Sequence, residues 1–224
     1  MGLKPILLLA DSQNLFWTSG ETLFLKQLFG DKPPQAAVYI GAANDDQPEF
    51  YQIFQSAMHA AGIQQIDQIF KTFSDRDKQL LDKADLILLA GGDVQHGWNI
   101  FKQTGMAERI SERYYAGAFL IGVSAGSVHL GLLFRQQNNQ ISEALKLVPF
   151  VVDVHQEKEE WQNLKSTLLL TGNAFIHGLG IPIGSGIIFR DDHTIEAVRK
   201  PAWLFEQTET GIKQELLLPK NFLK

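Results

Sequence analysis

Nine residues, Phe119-Leu120-Ile121-Gly122-Val123-Ser124-Ala125-Gly126-Ser127, carry the strongest chemical signal in this chain. An apolar run ends in a serine flanked by small residues, and a helix-compatible stretch, Val128 to Phe134, follows it. That sequence suits a sharp strand-to-helix turn holding a hydroxyl out at the end of a sheet. Ala125 and Gly126 then place free N–H groups at the positive end of the new helix. A serine that merely caps an ordinary strand-to-helix turn has the same local sequence. Two further places favour chemistry: Gly91-Gly92-Asp93, leaving the preceding apolar strand, and His155, following a later one.

Together these residues suit acyl transfer. A serine hydroxyl is a weak nucleophile at neutral pH and needs an adjacent base. His155 is the candidate base, taking the Ser124 proton and returning it to the leaving amine. The Ala125 N–H, with that of Gly92 or Asp93, is the candidate oxyanion hole. Glycine lets the backbone approach a ligand closely. The C-terminal edge of the strands is where open α/β sheets build their sites.

Short apolar runs bounded by turn residues alternate with helical patterns, which predicts a parallel sheet covered on both faces. Strands are expected at Ile6–Ala10, Ala36–Ile40, Ile66–Phe70, Leu86–Ala90, Ala118–Val123 and Leu147–Val154. Helices are expected at Glu21–Phe29, Gln47–Gly62, Asp75–Ala84, Val94–Gln103, Met106–Tyr115 and Glu159–Leu170. Phe50, Tyr51, Phe54, Ala57, Met58 and Ala61 form one apolar stripe and read as core. The last part is β-like, at Gly186–Arg190, Thr194–Val198, Ala202–Phe205 and Ile212–Leu218, with turns at Asp191-Asp192 and Glu209-Thr210-Gly211. The expected architecture is α/β: three layers, a mostly parallel open sheet with helices on both faces, and a β-rich C-terminal part. One domain over residues 1–224 fits this length.

Composition narrows the function classes. A net charge of −5 without a Lys/Arg cluster argues against nucleic acid as partner. The absence of cysteine excludes disulfides, thiolate metal sites and a cysteine nucleophile. No apolar run approaches membrane-span length, and the Met1–Ala10 start is too short an apolar stretch for a secretory leader. The expectation is a cytoplasmic protein. Gly91-Gly92-Asp93 lacks both the dinucleotide fingerprint and the P-loop lysine, so nucleotide binding is rejected. No His-x-x-x-His pair occurs, and no metal or organic cofactor is expected. His129 reads as helix packing, His177 as the close of a strand turn, His59 and His193 as surface, and His96 as a loop residue beside the glycine turn.

Taken in order, Gly91-Gly92-Asp93, Gly122-Val123-Ser124-Ala125-Gly126 and Asp153-Val154-His155 resemble peptidase family S51, the aspartyl dipeptidases (peptidase E) and cyanophycinases. The resemblance runs from Leu7-Leu8-Leu9-Ala10-Asp11-Ser12 to the β-rich end. It implies a fold similar to class I glutamine amidotransferases, with serine replacing cysteine. It also implies a peptidase or amidase acting on a small peptide or amino-acid conjugate, Ser124 as nucleophile, His155 as base, and Gly92 with Ala125 as oxyanion hole. A homodimer is compatible with this reading. Two departures stand out. Where family members often read Gly-Ile-Asp-Glu-Gly-Thr, with a glutamate that can orient the histidine, this chain has Gly180-Ile181-Pro182-Ile183-Gly184-Ser185. Where relatives tend to carry arginines after the histidine, it has the net acidic Gln156-Glu157-Lys158-Glu159-Glu160-Trp161. These departures disfavour Asp-X peptides and open an alternative, a degenerate member that binds a ligand or partner without turnover.

Overall fold

The structure, a computed structural model, describes residues 2–208 and 211–220. Glu209 and Thr210 of the expected turn therefore lie outside the described residues. The elements that build the site are β1 (Ile6–Leu9), α1 (Phe24–Phe29), β2 (Ala36–Ile40), α2 (Pro48–Ala61) and β3 (Gln65–Ile69), then α3 (Asp75–Lys83) and β4 (Leu86–Leu89). Next come α4 (Val94–Thr104), α5 (Met106–Tyr115), β5 (Phe119–Val123), α6 (Ala125–Leu130) and β6 (Phe150–Val154). The chain continues through α7 (Gln162–Thr171), β7 (His177–Ile181), β8 (Gly186–Phe189), β9 (Ile195–Val198), β10 (Ala202–Thr208) and β11 (Gly211–Leu217).

Seven strands form the central sheet in the order β9-β8-β1-β5-β4-β2-β3. From β1 to β3 the pairing is parallel, while β8 and β9 add antiparallel strands at one side. Because side chains alternate along a strand, each strand feeds two cores. Ile6, Leu8, Val38, Ile40, Ile87, Leu89 and Leu120 face one core, together with Phe101, Ile110 and Val128 from α4, α5 and α6. Leu7, Leu9, Tyr39, Leu88 and Ile121 face the other, against Phe24 and Phe29 of α1 and Phe54 and Met58 of α2. A second sheet, β6-β7-β10-β11, carries α7, whose Leu164 and Leu168 pack with Val151, Trp161 and Phe205. The expected three layers and β-rich C-terminal part are what the chain forms.

Several expectations need correction. The elbow helix spans Ala125–Leu130, not Val128–Phe134. It stops at Gly131, whose backbone turns extended at φ −71° and ψ −170°, and Leu133–Arg135 instead pairs with Ile141–Glu143 in a ribbon. The first helix begins at Phe24 because Thr18–Ser19 and Thr22–Leu23 form a small hairpin before it. The segment after His155 makes a short 3-10 turn, Glu157–Glu159, and the helix starts only at Gln162. His177 opens a strand, β7, that the sequence pattern did not reveal. Phe50 is not core: it is 46 % exposed.

Candidate functional site

Ser124 sits where β5 turns into α6, with φ +50° and ψ −114°. That left-handed backbone is uncommon for a residue with a Cβ and holds the side chain at the tip of the turn. Neighbouring chain locks it there. The Ser124 amide donates to the Leu9 carbonyl at 2.9 Å, and the Ser124 carbonyl accepts the Ser127 amide at 2.9 Å. The fully buried Ser127 hydroxyl bridges two strand ends, donating toward the Leu9 and Gly122 carbonyls and accepting the Leu9 amide at 2.9 Å. Gly126 is obligatory, since a Cβ there would lie 2.0 Å from the Leu89 carbonyl oxygen.

His155 follows β6 with φ +44°, and its amide donates to the Ile181 carbonyl at 3.0 Å. Its Nε2 lies 2.9 Å from Ser124 Oγ. Two elements far apart in the chain thus deliver the serine and the histidine to one hydrogen bond.

The glycine turn closes against them. A methyl on Gly91 would stand 3.1 Å from Ser124 Cβ, and Gly92, at φ +143°, would drive a Cβ into the Ala43 carbonyl oxygen at 2.1 Å. The Asp93 amide donates to that same Ala43 carbonyl at 2.8 Å and is therefore engaged. The Asp93 carboxylate caps α4 by accepting the His96 amide. Asn44 fixes the turn from beneath, its Nδ2 donating to the Gly91 carbonyl at 3.0 Å and to Tyr39 Oη at 2.9 Å. Ala125 is the first residue of α6 and is buried.

These groups open into a cleft of about 560 Å³ whose walls include Asp11, Phe50, Gly92, Ser124, His155, Glu157, Lys158, Glu159 and Ile183. Asp11 ties two walls together, accepting the Gln13 amide at 2.9 Å and the Gly184 amide at 2.6 Å. Glu157 reaches across to residue 183, where its Oε1 accepts the Ile183 amide at 3.2 Å, while its Oε2 is buried without a partner. Lys200 donates to the Ile183 carbonyl at 3.0 Å. No arginine lines the cleft among the described residues.

The sequence-nominated Ser124, His155 and Gly92 therefore line one cleft with Ile183, while Ala125 follows Ser124 at the start of α6, buried and outside the cleft lining. Asp153 does not join them. Its Oδ1 accepts the Val154 amide at 3.0 Å, it lines a separate small cavity, and burial pushes its carboxyl up to about 6. Histidine–carboxylate pairs form between His96 and Asp45 and between His177 and Glu206; His155 has none among the described residues. His129 is packing as expected, fully buried, stacked on Trp98, its Nε2 2.8 Å from the Val94 carbonyl. Burial holds its imidazole down near 4, so it donates as the neutral ring. His59 and His193 are on the surface. Sequence reasoning missed Asn44, Ser127, Asp11 and Phe50. Only Phe50 left a signal, an aromatic one turn before the buried part of its stripe.

This fold and cleft define an α/β protein with a serine and a histidine joined at the C-terminal edge of a parallel sheet. The sequence profile of peptidase family S51 matches residues 7–197, and the chain belongs to that family. Among solved structures it is similar to a peptidase from an acI-B1 Actinobacterium, with TM-score 0.67 and 16 % identity over 98 % of this chain and 96 % of that one. It is also similar to a putative peptidase E protein from Listeria monocytogenes EGD-e, with TM-score 0.63 and 19 % identity over 88 % of this chain and 98 % of that one. No curated protein matches the sequence. Among the described residues no helix is long and apolar enough to cross a membrane.

Proposed function

We propose that this peptidase-family protein is a serine-type peptidase or amidase acting on short peptides or amino-acid conjugates. The observation that carries the reading is the 2.9 Å contact between Ser124 Oγ and His155 Nε2 at a strained elbow. His155 takes the hydroxyl proton as Ser124 Oγ attacks the amide carbonyl. The oxyanion then gathers charge against the Ala125 and Gly92 amides. His155 next gives the proton to the departing amine, and water repeats the sequence to release the acid. No cofactor takes part in this scheme. The setting proposed is the cytoplasm.

A second reading has one observation behind it: among the described residues the His155 ring has no carboxylate partner, and Ile183 stands where relatives often carry glutamate. On that reading the cleft binds a ligand without turnover. A fluorophosphonate separates the two, because it bonds only to an activated serine. Labelling of the wild type that disappears in Ser124→Ala supports the hydrolase, as does loss of peptide hydrolysis in that variant. A wild type that stays unlabelled, or an active Ser124→Ala protein, overturns it.

A further inference from the structure

A small apolar alcove of about 30 Å³ opens off the cleft beside Ser124. Its walls include Leu15, Tyr39, Phe50, Ile53, Leu88 and Val123, with Gly91 at the mouth and Ser12 the one hydroxyl among the otherwise apolar lining besides Tyr39. Phe50, Gly91 and Val123 also line the main cleft, so the two spaces are continuous. The connection lies at the nucleophile itself, since Val123 directly precedes Ser124 and Gly91 abuts its Cβ.

The alcove lies on one side of the reaction. His155 and the acidic segment after it contribute nothing to its walls. The histidine hands its proton to the leaving amine, so the leaving half of a substrate extends toward His155. The acyl half extends the other way. We infer that the alcove receives the side chain of the acyl residue and selects a small aliphatic one, from alanine to valine. This deepens the proposed hydrolase reading and rests on it.

Size and polarity both lead there. At about 30 Å³ the space is far below the roughly 150 Å³ of an apolar cavity that admits benzene, so it suits a small aliphatic group at its mouth and not a ring. Leu15, Tyr39 and Leu88 are almost wholly buried, and no charged side chain lines the alcove. The Tyr39 hydroxyl is already engaged by Asn44 at 2.9 Å. A substrate carboxylate entering would lose its water and meet no cation. Phe50, by contrast, keeps 46 % of its surface exposed at the mouth, an apolar face that a bound aliphatic side chain would cover.

The test uses 1-aminoalkylboronic acids with the side chains of glycine, alanine, valine, phenylalanine and aspartate, each competing with fluorophosphonate labelling of the full chain. Boron bonds to an activated serine oxygen, and the side chain then occupies the acyl position. The alanine and valine compounds should protect at about 10-fold lower concentration than the glycine one, the order of a methylene in an apolar pocket. The phenylalanine and aspartate compounds should protect no better than glycine. In Phe50→Ala, the phenylalanine compound should gain about 10-fold on the alanine one as the mouth widens. Ile53→Phe, which fills the alcove, should erase the valine advantage. Best protection by aspartate or phenylalanine in the wild type, protection by none, or ratios unmoved in both variants would overturn the inference while leaving the hydrolase reading intact. Failure of the fluorophosphonate to label the wild type strikes the hydrolase reading instead.

Discussion

A histidine that accepts a proton through Nε2 must carry one on Nδ1, and something has to hold that second nitrogen. The expected carboxylate is missing at Ile183, and neither Asp153 nor Glu157 pairs with the ring. In the Ser-His-Asp template, spoiling the orienting group lowers kcat by about four orders of magnitude. We therefore expect turnover to be low, and Ile183→Glu to raise kcat by about 10-fold or more with the fold unchanged. Ile183 is 47 % exposed in the cleft, so a carboxylate there would stay hydrated. Steady-state kinetics with circular dichroism checks this; a folded variant no faster than wild type counts against it. The wall charges bear on substrate choice. Asp11, Glu157 and Glu159 outnumber Lys158, so Asp-X peptides should turn over more slowly than neutral or basic ones. Glu159→Arg should shift the preference toward acidic side chains. A peptide library returning only Asp-X substrates would refute this. At this scale the pairing of Ser124 with His155 was legible because a serine among small residues at a strand end and a histidine after a later strand both point to the same edge of the sheet. Asn44 and Asp11 were not, because a polar residue that braces a turn has no periodicity.

Elements explain why a short hydrogen bond can form between residues so distant in sequence. β1 and β5 are parallel neighbours in register Leu9 to Val123, and Ser127 stitches their ends to α6. Removing that hydroxyl in Ser127→Ala would leave the buried Leu9 amide without its partner, at a cost of about 1–3 kcal/mol. Denaturant unfolding should show this loss, and activity should fall further than stability because the elbow loosens. Stability within a few tenths of wild type would mean the bridge is dispensable. His129 links α6 to α4 through Val94, coupling the helix that begins at Ala125 to the one that follows Gly92. The strands from β1 to β5 were legible as apolar runs ended by turn residues. β7 was hidden by Gly178 and Gly180, which weaken any strand signal. Their reason is packing: Cβ atoms there would press on Leu164 and Leu168 and on the Trp161 and Phe205 rings. Helix α2 misled differently, because its first turn leaves Phe50 lining the cleft instead of joining the core.

On the scale of the molecule, parallel alternation was legible in the chain, whereas the split of the C-terminal part between two sheets depends on long-range pairing that no local pattern encodes. Two buried titrating groups sit either side of that division and oppose each other. His129, beneath the central sheet and facing Asp93, is held near 4 by burial, against 6.5 when exposed. The unfolded chain thus binds the extra proton, and stability is lost as pH falls from 6.5 toward 4. Asp153, at the edge of the second sheet near Asn163 and Arg135, is raised to about 6 by burial from 3.8. Here the folded chain binds the extra proton, so stability is present at low pH and lost as pH rises through 6. Each interval corresponds to about 3 kcal/mol, and the two slopes have opposite signs between pH 4 and 6. Asp153→Asn keeps an acceptor for the Val154 amide and removes one of them. Relative to wild type, the variant should therefore gain up to about 3 kcal/mol between pH 4 and pH 7, leaving the acid sensitivity set by His129 exposed. Urea unfolding of both proteins at pH 4, 5.5 and 7 cancels the titrations they share. Parallel stability curves would show that Asp153 ionises in the folded protein as freely as in the unfolded chain.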